Sequence, residues 1–340
     1  MLKAMTPMRT QRLVPVLGAY PVVVTAASIL SLVAPQRGGP LGLGQVFAPH
    51  ILIPVLLLLP VAIVSSSRAL RLGVVVALVV GLLRFGPGLV SFPPSPAASG
   101  EVIVRVTSWN LEAGAPAASA LVERLRASDA DVVALQELTP EHAAAILAHP
   151  AVTARFPHRA LAPQPGVGGI GLLSRLPIES STNDVNPVVQ AVVLDLPNRD
   201  LTIVNAHPFP PRYRVWNVLP LPFVYDPSQR DADILRIREP VDRAIADGRR
   251  VLVVGDYNLT DREPAFEDLS RGLWDAHEEV GLGIGSTWRP SRLEFLPLGV
   301  LRIDHFLGGP GTRPLDVRED CTPRGSDHCI LLGEAAIAGG

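Results

Sequence analysis

The chain has 340 residues, of which 48% are hydrophobic, and a formal net charge of −2. The charge is divided unevenly: residues 1–100 hold 7 of the 30 bases and no acid, whereas residues 101–340 hold all 32 acids and a net charge of −9. A domain with that charge repels a polyanion, which argues against a nucleic-acid partner. The two cysteines, Cys321 and Cys329, are too few for a disulfide framework or a zinc site.

Three apolar stretches fill the first hundred residues: 13–34, 46–64 and 72–92. The first two are long enough to cross a bilayer, which takes about 20 residues. A cleaved signal peptide is the alternative for the first stretch, but further apolar stretches follow it. We therefore expect residues 1–92 to anchor the protein in the cell membrane through three transmembrane helices.

Basic residues precede the first stretch and separate the second from the third, so the positive-inside rule places the N-terminus in the cytoplasm and residues 101–340 outside it. Arg84 interrupts the third stretch. We interpret it as a side chain that snorkels to the interface, and the alternative is a functional arginine that reaches a lipid phosphate. Residues 93–100, PPSPAASG, are typical of a linker.

From residue 102 onward, short apolar strands alternate with amphipathic helices, a pattern typical of a layered α/β domain. Helices are predicted over 116–128 and 228–248. Strands are predicted over 102–106, 131–137, 168–175, 188–196, 201–206, 251–254, 301–306 and 329–332. We expect residues 101–340 to form one catalytic domain.

Polar residues with ligand or acid–base chemistry recur at the ends of these strands. Asp256 and Asn258 follow the strand 251–254 and lie two positions apart, so they point to the same face of an extended backbone. Taken alone, they are equally compatible with a simple turn. The other strand ends carry Asn110, Glu137, His207, Asp304, Asp327 and His328. Buried carboxylates are costly unless they are paired or bound to metal, so the set predicts an active site.

The residues at these positions form short motifs in a fixed order: WN at 109–110, QE at 136–137, GGIGLLSR at 168–175, NAHP with His207, GDYN at 255–258, RIDH at 302–305 and GSDH at 325–328. On these motifs, residues 101–333 resemble the endonuclease/exonuclease/phosphatase superfamily of metal-dependent phosphoesterases. The resemblance implies a DNase I-like, four-layer α/β sandwich with its active site at one edge of the two sheets.

The resemblance also implies a metal site and a substrate contact. Glu137 would be the main ligand of Mg²⁺, with Mn²⁺ as the alternative metal, and Asn110 and Asp327 would lie nearby. Arg289 follows Trp288 where the family often has proline, and we expect its guanidinium to add a contact to the substrate phosphate.

The catalytic roles are implied in the same way. Asp256 and Asn258 would orient the attacking water and the phosphate. Asp304 would fix the ring of His328 and favour its imidazolium form, while His207 would contact a phosphate oxygen or protonate the leaving group. Whether Asp256 or His328 is the formal base stays open.

The expected architecture, three N-terminal spans and an external phosphoesterase domain, resembles the VanJ-type glycopeptide-resistance proteins. That resemblance implies a phosphatase of a phosphorylated membrane lipid such as undecaprenyl diphosphate, with a role in antibiotic resistance. The alternatives are a phosphodiesterase of sphingomyelinase or nuclease type, and a binding module whose catalytic residues have decayed.

Two further segments flank the expected site. Residues 208–227 contain six prolines and are predicted to form a loop. Trp216 and Phe223 are among its large apolar residues, so we expect it to lie at the outer membrane surface and guide a lipid tail; a lid on the domain core is the alternative. For Cys321 and Cys329 we predict two separate thiols, because the geometric window for a disulfide is narrow, with a disulfide that pins the Asp327 loop as the alternative.

Overall fold

The computed structural model describes residues 7–86, 88, 94–186, 188–197, 199–215 and 222–339. The chain divides into two compact units, which we call the helical unit and the sandwich unit. The helical unit comprises Met1–Val90, Arg212–Asp226 and Arg262–Pro264, and the sandwich unit comprises Ser91–Pro211, Pro227–Asp261 and Ala265–Gly340.

The helical unit contains four α-helices in its described residues: α1 (Pro7–Val33), α2 (Gly39–Val46), α3 (Ile53–Val64) and α4 (Arg68–Phe85). They pack around small and branched apolar side chains. These buried residues are Val24, Val55, Ala62, Leu70, Val74 and Ala77.

The second predicted membrane span, 46–64, is not one straight helix. The chain bends by 85° between α2 and the segment His50–Val64, next to Pro49, which has no N–H to continue a helix. Within the described ranges no single helix is long and apolar enough to cross a bilayer, and only this bent pair reaches that length and hydropathy together. The prediction of three simple spanning helices is therefore not confirmed in the described residues.

Arg84 lies within the helical unit and links two of its helices. Its Nη1 donates hydrogen bonds to the Ser28 carbonyl (3.2 Å) and to Ser31 Oγ (2.7 Å), both on α1. The guanidinium on α4 thus binds polar groups of α1.

The prediction that residues 208–227 form a loop throughout is wrong. They contain an antiparallel hairpin of β8 (Arg212–Val215) and β9 (Pro222–Asp226). The prediction took the prolines as evidence against strands. Pro222, however, occupies the first position of β9, where its missing N–H is not needed for a hydrogen bond to the neighbouring strand.

The hairpin belongs to the helical unit. Strand β9 packs against α2, and the hydroxyl of Tyr225 donates a hydrogen bond to the carboxylate of Glu263. The guanidinium of Arg262 lies 4.9 Å from the centroid of the Phe85 ring, a cation–π contact with α4. Two segments that are distant in sequence from the helices therefore fold with them.

The sandwich unit contains two six-stranded sheets in its described residues. The first, in the order β13-β14-β1-β2-β4-β3, has the strands β1 (Val102–Asn110), β2 (Val132–Gln136), β3 (His158–Ala162), β4 (Ile170–Ser174), β13 (Thr312–Asp320) and β14 (Ile330–Ile337). The second, in the order β11-β12-β10-β7-β6-β5, has β5 (Ile178–Val185), β6 (Val188–Leu196), β7 (Arg199–His207), β10 (Arg250–Asp256), β11 (Trp274–Asp275) and β12 (Asp304–Gly308). The pairs β1–β2 and β7–β10 are parallel.

Helices flank both sheets, which confirms the predicted layered α/β architecture. The helices are α5 (Ala118–Ala127), α6 (Pro140–Ala148), α7 (Pro150–Arg155), α8 (Ser228–Ala246), α9 (Pro264–Ser270) and α10 (Ala276–Val280). One apolar cluster fills the space between the sheets, a second packs α5–α7 against the first sheet, and a third packs α8 and α9 against the second sheet.

The pleat of the strands decides which side chains meet between the sheets. Along β1, Val104 and Val106 belong to the cluster between the sheets, and alternation places Ser108 and Asn110 on that same face. The interior of the sandwich therefore changes from apolar to polar toward one edge.

Candidate active site

The residues predicted at strand ends converge on one edge of the sandwich unit, where each sheet contributes about half of the set. Asn110 ends β1, Glu137 follows β2, and Asp327 and His328 precede β14; His207 ends β7, Asp256 ends β10, and Asp304 begins β12. The parallel pairs β1–β2 and β7–β10 bring the carboxyl ends of their strands to this edge, as in other α/β folds.

Asn110 joins the two sheets at the centre of the site. Its buried Nδ2 donates to Glu137 Oε1 at 3.0 Å and to Asp256 Oδ2 at 2.9 Å. The backbone of Glu137 is left-handed, with φ of 55°, a conformation that a non-glycine residue keeps only when its surroundings require it. The turn after β2 thus holds the Glu137 carboxylate against Asn110.

Two histidines flank Asp256. His207 Nε2 lies 3.4 Å from Asp256 Oδ2 and 3.5 Å from Glu137 Oε1. His328 Nδ1 lies 2.9 Å from Asp304 Oδ2, and its Nε2 lies 3.5 Å from Asp256 Oδ2. The Asp304–His328 pairing that the sequence predicts is therefore present in the structure.

The charges of this group are set by competition between burial and pairing. Burial lowers the pKa of His328, but the carboxylates of Asp304 and Asp256 outweigh it and raise that pKa to about 10. Burial raises the pKa of Asp256, but His328 and His207 outweigh it and hold that pKa well below its usual range. At neutral pH the site thus contains an imidazolium on His328 beside an ionised Asp256.

Asp327 is fixed by two residues that sequence reasoning did not assign to the site. Trp288 Nε1 donates to Asp327 Oδ2 at 2.9 Å, and the backbone N–H of Asp327 donates to Glu112 Oε2 at 2.8 Å. Burial raises the pKa of Asp327 to about 6. In the sequence, the one indication that Trp288 belongs to the site was its position next to Arg289, the residue expected to contact substrate.

The GDYN motif shapes the second sheet's side of the site. A side chain on Gly255 would place its Cβ 2.2 Å from the Ala206 carbonyl oxygen, and its φ is 139°, so only glycine fits where β10 approaches β7. Asn258 is also left-handed, and its Nδ2 donates to the carbonyl of Pro208 at 3.1 Å. Asn258 therefore fixes the backbone that leaves His207.

The predicted substrate contacts are placed differently. Arg289 is only 1% exposed, and its guanidinium donates to Cys329 Sγ (3.3 Å) and to the Ser326 carbonyl (3.5 Å). This interior position, set by the strand-like pairing of Trp288 with His328, departs from the predicted contact with a substrate phosphate. Trp216 lies outside the described residues, and Phe223 is described only as a backbone position of β9.

The prediction of two separate thiols is wrong, because Cys321 and Cys329 form a disulfide. Sequence spacing alone could not reveal this, since the chain must reverse between residues 321 and 329 to bring the two Cα atoms to 4.2 Å. The bridge closes the segment that carries Asp327 and His328.

The donor set fits a divalent cation. Ligand atoms of Asp256, Asp304 and His328 lie within 4.8 Å of one another, and the buried Asp304 Oδ1 has no hydrogen-bond partner among the described residues. The four carboxylates of Glu137, Asp256, Asp304 and Asp327 outnumber the two histidines, and carboxylate oxygens suit hard cations. His328 Nδ1 is bonded to Asp304, and Asn110 Oδ1 accepts from the backbone N–H of Glu112 at 2.8 Å. The assignment of the metal to Glu137, Asn110 and Asp327 stays a prediction.

The two-sheet fold and this site define a metal-dependent hydrolase of phosphate esters. Residues 107–328 match the family described as Endonuclease/Exonuclease/phosphatase family, and the chain belongs to that family. This match confirms the resemblance to the family that the sequence motifs indicate.

Three solved structures illustrate the shared fold. A 3′ phosphatase, NExo, from Neisseria with a product DNA hairpin is 19% identical, with 68% of this chain and 98% of that chain covered and a TM-score of 0.53. TDP2 from D. rerio with a single-stranded DNA product is 19% identical, with 68% of this chain and 98% of that chain covered and a TM-score of 0.51. The human Nocturnin catalytic domain with a sulfate anion is 16% identical, with 73% of this chain and 97% of that chain covered and a TM-score of 0.50. No curated protein sequence matches this chain.

Proposed function

We propose that this protein is a Mg²⁺-dependent phosphatase that hydrolyses a phosphate anhydride or ester of a membrane lipid, such as undecaprenyl diphosphate, on the outer side of the cell membrane. The proposal of a lipid substrate rests on the apolar exterior of the helical unit. It is also supported by the hairpin after His207, which belongs to that unit.

The chemistry follows from the residues at the sheet edge. A bound Mg²⁺ would neutralise charge on the phosphate oxygens and polarise the phosphorus centre. Asp256, ionised and accepting from Asn110, is placed to orient a water molecule for attack. The imidazolium of His328 supplies positive charge toward the phosphate, and His207 is placed to donate a proton to the leaving oxygen.

The exterior of the helices favours a lipid environment. Among the side chains of α1–α4 that the structure describes, twenty large apolar ones are exposed, including Val64 at 85%, Leu83 at 74% and Leu57 at 72%. Monomeric soluble proteins rarely expose large contiguous apolar patches. Contact with acyl chains would remove that surface from water, and the positive-inside rule would then leave the sandwich unit outside the cytoplasm.

The hairpin β8–β9 connects the helices to the active site along the chain. It begins five residues after His207, and its Tyr225 is buried in the helical unit against Glu263. This segment follows His207 closely in the chain and folds with helices that we propose face lipid. It is therefore suited to guiding a lipid tail toward the site.

Charge favours a lipid over DNA. Two of the similar structures hold DNA, but residues 101–340 of this chain carry a net charge of −9. Binding to a nucleic-acid backbone depends on neutralising phosphates with basic residues. This balance disfavours the nuclease-type alternative.

A pair of assays on the full-length protein in detergent tests the proposal. With Mg²⁺ present, we expect release of inorganic phosphate from undecaprenyl diphosphate and no nicking of plasmid DNA at low salt. Chelation of the metal should abolish the release. Cleavage of DNA without turnover of the lipid would refute the lipid substrate and establish the nuclease alternative.

The double substitution Trp216→Ser with Phe223→Ser tests the role of the hairpin segment. Hydrolysis of undecaprenyl diphosphate should fall steeply, while hydrolysis of the short farnesyl diphosphate should barely change. Phe295→Ser is the matched control, because Phe295 is 70% exposed on the sandwich unit and should affect neither substrate. Equal losses on both substrates, with a lowered Tm, would identify the segment as core packing instead.

A further inference from the structure

Ser108, Gln136 and Asn205 are polar side chains in the apolar interior between the two sheets. Ser108 of β1 is 2% exposed, and Gln136 of β2 and Asn205 of β7 are fully buried. They form a layer immediately below the active site: Ser108 is two residues before Asn110, Gln136 precedes Glu137, and Asn205 is two residues before His207. We call Gln136 and Asn205 the inter-sheet amide pair.

The inter-sheet amide pair is fully hydrogen-bonded. Gln136 Nε2 donates to Asn205 Oδ1 at 2.7 Å and to Ser108 Oγ at 3.1 Å. Asn205 Nδ2 donates to the carbonyls of Gly171 (3.1 Å) and Leu135 (3.3 Å). The side chain of Asn205, on the second sheet, thus makes three hydrogen bonds to groups of the first sheet.

Such a pair is not required to fill the core. The neighbouring positions on the same strand faces, Ala134 of β2 and Ile203 of β7, are apolar and pack between the sheets. Apolar contacts resist separation of two sheets but tolerate sliding, whereas hydrogen bonds are directional and fix one relative position. Replacing both members of a buried polar pair by apolar groups is often neutral or stabilising, so stability alone does not account for it.

The active site needs that fixed position because it is divided between the sheets. Glu137 and Asn110 come from the first sheet, His207 and Asp256 from the second, and the contacts between these residues span only 2.9 to 3.5 Å. We propose that Gln136 and Asn205 are positioning residues, which hold the two sheets in the register that brings the metal-binding carboxylate of Glu137 to His207 and Asp256.

The test is the double variant Gln136→Leu with Asn205→Leu in the full-length protein. We expect its Tm to stay within about 5 °C of the wild type, since both partners are replaced together. Binding of Mn²⁺, measured by calorimetry without substrate, should weaken by about 10-fold or more, as when a group that orients a metal ligand is removed. On farnesyl diphosphate, kcat should fall by about 100-fold with KM changed less than about threefold.

Ile203→Val is the matched control, because Ile203 lies on the same face of β7 and is fully buried. It should lower Tm without changing either Mn²⁺ affinity or kcat. The kinetic arm rests on the proposed function, whereas the calorimetric arm does not; a wild type that binds Mn²⁺ but leaves the lipid diphosphate intact would refute the substrate and not the amide pair.

Unchanged Mn²⁺ affinity in a stably folded double-leucine variant would overturn the inference. If that variant melts more than about 10 °C lower, the exchange Gln136→Asn with Asn205→Gln decides, since it keeps an amide pair and the total volume but moves the contact by one methylene. Weakened Mn²⁺ binding with Tm retained would support positioning, and wild-type Mn²⁺ binding would reject it.

Discussion

Asp304 and His328 meet across the two sheets: Asp304 begins β12 of the second sheet, His328 precedes β14 of the first, and Asp304 Oδ2 lies 2.9 Å from His328 Nδ1. Both side chains are buried. The carboxylate fixes the ring so that Nε2 points toward Asp256, and it is one of the three carboxylates, with Asp256 and Asp327, that raise the pKa of His328. This contact couples the alignment of the sheets to the charge of the site.

Asp304→Asn should lower kcat by about two to four orders of magnitude, as when the carboxylate that orients a catalytic histidine is neutralised. The pKa of His328 should fall, because the negative charge of Asp304 raises it. A pH–rate profile measures the shift, and the alkaline limb should move to lower pH. A profile superimposable on that of the wild type would contradict the pairing.

Glu137→Gln should abolish hydrolysis, because it removes a charged oxygen ligand from the predicted metal site while keeping an oxygen to accept from Asn110. Folding should be retained, with Tm changed by less than about 3 °C. Calorimetry with Mn²⁺ measures the loss of binding. Glu141→Gln, four residues further on and exposed, is the control and should bind metal normally.

Trp288→Phe should reduce kcat by about 10-fold, since a hydrogen bond to a charged group contributes about 1.5–3 kcal/mol. The indole N–H lowers the pKa of Asp327, against the larger effect of burial, which raises it to about 6. Its removal should therefore move the acid limb of the pH–rate profile to higher pH. Trp274→Phe, whose lost hydrogen bonds are to Thr312, should leave the profile unchanged.

The Cys321–Cys329 disulfide predicts a specific thiol count. Under denaturing, non-reducing conditions we expect no free thiol, and two after reduction. Replacing both cysteines with serine should lower the free energy of unfolding by about 2–3 kcal/mol, because it frees a short loop in the unfolded chain. Two free thiols in the unreduced protein would show that the bridge does not form.

His305 should make stability depend on pH below neutrality. Its Nε2–H donates to the Leu259 carbonyl at 2.7 Å, and burial, with Arg302, lowers its pKa to about 4. The unfolded chain titrates near pH 6.5 and so binds the proton first. This contribution is therefore present above about pH 6.5 and is lost as the pH falls toward 4, by about 3 kcal/mol.

His305→Gln isolates the effect, since its amide can still donate to the Leu259 carbonyl and does not titrate. The difference in unfolding free energy between wild type and variant should change in favour of the variant between pH 6.5 and 4. Parallel stability curves over that range would show that the ring is not held neutral.

Much of the sandwich unit was predictable from local pattern. Strand β6 has the predicted bounds, and β1, β7 and β10 extend them by a few residues, because branched apolar runs favour strands wherever they are buried. The convergence of Asn110, His207 and Asp256 was also predictable, since residues at the carboxyl ends of neighbouring strands share an edge.

The hairpin β8–β9 was not predictable in this way. Its prolines oppose strand formation locally. It forms through packing on α2, a helix that lies more than 160 residues earlier in the sequence. Local propensity is overridden where a distant element supplies the contacts.

The sequence by itself thus determined the family, the strand ends and the chemical types at the site, because those depend on short-range spacing. Only the tertiary structure decided that Arg289 is buried under Cys329, that Trp288 holds Asp327, and that Cys321 bonds to Cys329. It also placed Gln136 against Asn205, 69 residues apart. These relations depend on how two separate sheets and their loops approach in space, and no spacing along one strand specifies that distance.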